Sequence, residues 1–120
     1  MESILISIKK LLGIPEGYRH FDPDIIAHIN AVFMLLNQLG VGPKEGFVIT
    51  DEYTTWDEFL PEDEVLREVI KAYVGVKVRL QFDPPTSSAL LNAMEKMAAE
   101  YEWRINVFVE TDRPAKDEQL

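Results

Sequence analysis

The chain contains no cysteine. That excludes disulfides and thiolate metal sites, and it fits synthesis in a reducing compartment such as the cytoplasm. It also lacks a long apolar run. The longest, Ala31 to Leu36, falls far short of the ~20 residues that a bilayer-spanning helix needs, so no membrane contact is expected. Near the amino terminus Lys9 and Lys10 follow the apolar residues Ile4, Leu5, Ile6 and Ile8, the reverse of a signal peptide's order. Positive charge is scarce. With 12 basic against 21 acidic residues the formal charge is -9, which repels phosphate backbones and argues against sequence-specific reading of DNA. No glycine-rich phosphate loop, internal repeat or low-complexity tract is found.

What is present is hydrophobic material, 47% of 120 residues, enough for one core and one domain over residues 1–111. The remainder, residues 112–120, carries Pro114 and five charged side chains and reads as a flexible acidic tail. Four helices are predicted. Ser3 to Leu12 is a short amphipathic helix stopped by Gly13 and Pro15. Asp22-Pro23-Asp24 opens a second, with Asp22 as cap, Ile25, Ile29, Val32, Leu36 and Leu39 as its buried stripe, and Gly40 as its stop.

Pro61-Glu62-Asp63-Glu64 starts a third helix that runs to Phe82. Its second half is ambiguous, because Val74, Val76, Val78, Leu80 and Phe82 alternate as in a strand. Val65, Val69, Tyr73, Val76 and Leu80 also share a helical face, and no turn signal interrupts the run. An unbroken stretch of this length exceeds the usual ~5–6 residues of a strand, which favours helix. After the breaker Asp83-Pro84-Pro85, capped by Asp83 or Thr86, the fourth helix carries Leu90, Met94, Met97, Tyr101, Ile105 and Phe108 on one face and extends roughly 35 Å. Between the second and third helices lies a long segment, irregular or containing a short extended piece at Phe47 to Thr50. The expected fold is therefore all-α, a small bundle of about four helices with an irregular or short-β insertion between helices 2 and 3.

Residues with chemical potential are few. His20, Asp24 and His28 are four apart, but the helix start near Asp22 puts His20 out of register for a shared metal. Glu62, Asp63 and Glu64 read as a solvated helix start, and Thr86, Ser87 and Ser88 have no adjacent histidine to activate a hydroxyl. No catalytic, cofactor-binding or metal site is therefore expected, and no enzymatic activity. Large aromatics outside the clearest helical stripes stand out instead. Trp103 falls on the side of the last helix that should face solvent, and Tyr53, Trp56 and Phe59 crowd the 41–60 segment. These four are the candidate partner interface, with burial of Trp103 beneath another element as the competing reading.

The stretches Leu5 to Gly13, Asp22 to Gly40, Val74 to Phe82 leading into Asp83-Pro84-Pro85, and Glu100-Tyr101-Glu102-Trp103-Arg104-Ile105-Asn106 carry a likeness. Over roughly Ser3 to Glu110 the chain resembles the head-tail connector, or adaptor, proteins of long-tailed bacteriophages and prophages. The resemblance implies a structural subunit that docks on the capsid portal in several copies and self-associates into a ring. DNA passes through that ring without sequence-specific binding, and a neighbouring neck or tail-completion protein assembles on it. It further implies assembly in the bacterial host cytoplasm and residence in the neck of the virion. A second reading from the residues alone is a small acidic regulatory or inhibitor protein that binds a basic protein partner.

Overall fold

The computed structural model describes residues 2–111, so the expected acidic tail lies outside the described residues. Five helices follow one another: α1 (Ile4–Leu12), α2 (Asp22–Gln38), α3 (Trp56–Phe59), α4 (Glu64–Phe82) and α5 (Ser88–Thr111). Among the described residues there is no strand, only an isolated antiparallel bridge between Ser3 and Thr55. The expected bundle of about four helices with a short-β insertion is thus corrected to five helices with none.

The reason lies in how the 41–63 segment satisfies its backbone. Asn30 on α2 presents both ends of its amide to Ile49, accepting from Ile49 N at 2.8 Å and donating to Ile49 O at 3.0 Å. A side chain thereby stands in for one rung of a ladder, and Phe47 to Thr50 needs no partner strand. Farther along, Thr54 O accepts from Ile4 N at 3.0 Å and Glu2 O accepts from Trp56 N at 3.2 Å, which ties the segment to the start of α1. The additional helix is one turn long. Its start is a capping box in which the Glu58 carboxylate accepts from the Thr55 backbone N–H and hydroxyl, each at 3.0 Å.

Helix ends follow local chemistry, with small shifts from expectation. Ser3 caps α1 by accepting from Ile6 N at 3.1 Å, and Gly13 closes it at φ 78°. Phe21, not Asp22, occupies the cap of α2, which moves Asp22 into the first turn. Asp63 caps α4 through Leu66 N at 2.9 Å, and Ser87 Oγ accepts from Leu90 N at 3.3 Å where Asp83 or Thr86 was expected to cap α5.

Helix α4 is the central element, packed against α1, α2 and α5. A helix covered from three sides buries more than one stripe, and this produces the strand-like alternation of Val74 to Phe82. Leu66, Ile70, Tyr73, Val74 and Val78 are buried while Val65 is exposed, so the buried face is rotated from the one expected. Gly75 lies under α1, where a Cβ would stand 2.6 Å from Leu11 Cδ1. Its poor helix propensity accompanies a close helix crossing.

Beside this largely aliphatic core lies an aromatic cluster. Phe33 on α2 stacks on Phe59 at 4.6 Å between centroids and meets Phe47 and Trp56 edge-on at 5.5 and 6.2 Å. Gly42, at φ 87°, allows the chain to pass this cluster, since a Cβ there would lie 2.5 Å from Phe59 Cε1.

Candidate functional site

The four aromatics singled out from sequence divide into two pairs. Trp56 is 3% exposed, and its indole Nε1 donates to Ser7 Oγ at 2.7 Å, while Phe59 lies stacked in the same cluster. Both rings are spent on the core and offer no surface to a partner. The capping box turns them inward together, because residues at the first and last positions of a single turn share a face. Tyr53 and Trp103 are exposed.

Trp103 is 63% exposed on the side of α5 away from buried Ile105 and Val109, and neither α1 nor the 41–60 segment covers it. Val107, one turn on, is exposed beside it. An ion pair between Arg104 and Glu100 at 2.9 Å runs along the same helix. Tyr53 stands beside the Arg19–Glu52 ion pair, 2.7 Å, and its backbone N–H is held by Asp51 Oδ1 at 2.9 Å. An exposed aromatic on a fixed backbone is a surface that binding can desolvate at little entropic loss.

A family model described as a phage connector protein matches residues 4–112. The chain belongs to the phage connector protein family. The match begins at the first residue of α1 and includes all five helices. Its general role is that of a phage structural protein of the connector kind. No curated protein and no solved structure gives a significant match.

Other features of this connector were not singled out from sequence. From Ile25 to Pro43 there is no Asp, Glu, Lys or Arg, so the outward side of α2 carries Ala27, Ala31, Met34, Leu35 and Gln38 with no charge. The signal was visible, since a helix at the surface ordinarily shows a charged face. The stripe of α5 also differs from expectation. Ala98, Ile105 and Val109 are its buried residues, whereas Leu90 and Met97 are exposed and Met94 and Tyr101 are half-buried. Met94, Met97 and Tyr101 line a groove shared with Leu11 of α1 and Ala72 and Val76 of α4.

On the opposite flank of α5, Tyr73 of α4 donates its hydroxyl to Glu102 Oε2 at 2.8 Å. Burial, reinforced by the Glu102 charge, raises the phenol well above its ordinary range. The folded chain therefore holds this proton more tightly than the unfolded one, a contribution present in full below about pH 10 and lost as pH rises beyond it. Tyr73→Phe is expected to lower stability by about 1–2 kcal/mol at pH 8. Urea melts should show the gap to wild type shrinking above about pH 10, and a gap that stays constant there would remove the linkage.

Among the described residues no group of three or more His, Cys, Asp or Glu is placed to hold a metal ion. His20 precedes α2 and packs against Phe21 at 5.1 Å between centroids, and His28 faces Phe82 at 6.3 Å. Among the same residues no helix is long and apolar enough to cross a membrane.

Proposed function

We propose that this chain is a neck subunit that docks on the phage portal protein, closes into an oligomeric ring through which DNA passes, and presents a surface for the next neck or tail-completion protein. It is made in the host cytoplasm and resides in the virion neck. Trp103 carries the docking part of this reading: an indole held outward on the longest helix of a connector-family chain. Two further facts support the ring. A ring is built from heterologous contacts, so each subunit needs two different patches. Exposed apolar side chains occur on α2 and on α5, and both helices pack on α4 between them. The formal charge of -9 weakens adhesion to passing phosphates. The inhibitor reading gains no comparable support, because family membership favours a structural role.

Trp103→Ala tests the docking. As an exposed side chain its loss should change stability by no more than about 0.5 kcal/mol. Its loss from a contact surface should weaken co-sedimentation with purified portal protein by about 2 kcal/mol, some thirtyfold. A variant that docks like wild type removes Trp103 from the interface. Wild-type chain that never sediments with the portal removes the docking reading altogether.

A further inference from the structure

We infer that the uncharged face of α2, together with Val48, seats in the groove between α1, α4 and α5 of a second copy of this chain. This names the subunit-to-subunit contact of the ring proposed above and rests on that reading.

Both surfaces are unpartnered within one chain. Met34 is 64% and Val48 66% exposed, and together with Ala27 and Ala31 they border a hollow between α2 and the following loop. The groove is lined by Leu11, Ala72, Val76, Met94, Met97 and Tyr101, with Gly75 keeping its floor low and a volume of about 250 Å³. From Ala27 to Gln38 the α2 face runs for roughly 17 Å, and from Met94 to Tyr101 the α5 wall of the groove runs for roughly 10 Å. Ala27 and Ala31 leave room for a neighbouring helix, and the methionines of the groove adapt to whatever enters.

Charge selects the occupant. Each hollow has one charged residue in its lining, Glu45 beside α2 and Arg79 in the groove. Seating one copy's face in another's groove joins opposite signs, whereas pairing like with like sets Glu45 against Glu45 or Arg79 against Arg79. Because α4 lies between α2 and α5, the two surfaces belong to different sides of the subunit, and a head-to-tail contact propagates instead of ending at a dimer. Each contact is small. A strip of roughly 10 by 10 Å buries far less than the ~800 Å² per partner of a standard stable interface. Subunits that meet only through it stay apart until a template gathers them.

The absence of cysteine makes the test direct. Met34→Cys and Met97→Cys are exposed substitutions that leave the core alone. Under oxidation on purified portal protein, a chain carrying both should give a ladder of disulfide-linked oligomers. An equal mixture of the two single variants should stop at dimers, and either alone should stay monomeric. A charge-reversal pair supplies a second measurement. Glu45→Lys or Arg79→Glu alone should raise the concentration for half-maximal assembly about tenfold, and the two together should restore it. Self-linking of either single variant, or labelling of the portal in place of the chain by a photoreactive group on Met34→Cys, would overturn the inference. So would the absence of a ladder from the chain carrying both substitutions on portal where wild type forms rings, and that result leaves the docking and ring reading standing. If the portal recruits nothing while concentrated free double variant still forms the ladder, the contact stands and the portal reading falls.

Discussion

Replacing Trp56 by alanine is expected to lower the unfolding free energy by about 3–5 kcal/mol, the usual loss for a buried large aromatic. The indole is 3% exposed, meets Phe33 edge-on at 6.2 Å and donates its Nε1 proton to Ser7 Oγ at 2.7 Å. Its removal would open a cavity where the 41–63 segment joins α1 and α2, and would take away that buried hydroxyl's donor. Ser7 Oγ still donates to Ile4 O at 2.9 Å, so the cavity outweighs the lost hydrogen bond. Trp56→Phe should recover much of the packing and lose about 1–2 kcal/mol. Urea melts read both changes. If Trp56→Ala melted with wild type while docking failed, the ring would belong to a surface after all. The contrast with Trp103→Ala is the useful part: one tryptophan is tied to stability and the other to contact.

This division was only half legible in the sequence. Trp103 could be placed because a long regular helix fixes direction, and its angular distance from Ile105 pointed it outward. Trp56 could not be placed by helical phase, since it lies in a segment without an evident period. A local signal was nonetheless present: Thr55-Trp56-Asp57-Glu58 has capping-box spacing, which marks a helix start and sets Trp56 and Phe59 on one face.

The same distinction between local and distant causes runs through the fold. The helix starts at Asp22-Pro23-Asp24 and Pro61-Glu62-Asp63-Glu64 depend on neighbours within one turn and came out within a residue or two. The inner faces of α4 and α5 were rotated from expectation, because which residues are buried depends on how many helices surround them. The pairing of Asn30 with Ile49 spans the chain between α2 and its loop and leaves no local mark, so the sequence leaves Phe47 to Thr50 open between an irregular and a short-β segment. Lys9 is the extreme case. A lysine near the end of an amphipathic helix reads as a solvated residue favourable to the dipole, and nothing within a turn of it indicates burial.

Lys9 is 1% exposed, and the expected consequence is large. Its ammonium donates to Glu16 O at 3.0 Å and Tyr18 O at 2.7 Å and lies 2.9 Å from Asp22 Oδ1. Asp22 Oδ1 is buried with no well-aligned donor of its own, so its contact with Lys9 is chiefly ionic. One charged head therefore joins α1, the 13–21 connection and the first turn of α2. Lys9→Met keeps the apolar stem and removes only the head, leaving a buried carboxylate oxygen and two carbonyls unpaired. The expected loss is about 3–5 kcal/mol, most of it from the stranded charge and not from packing. Adding Asp22→Asn should return part of that loss, because the uncompensated charge is gone while the side chain keeps its shape. A Lys9→Met chain within about 0.5 kcal/mol of wild type in urea melts would show that the pair contributes nothing. The effect should reach assembly too. Lys9 lies two residues before Leu11, whose side chain walls the groove assigned to a second copy. Loosening this knot frees the end of α1 to shift, so the disulfide ladder of the Met34→Cys, Met97→Cys chain should weaken when Lys9→Met is added under conditions where the variant remains folded.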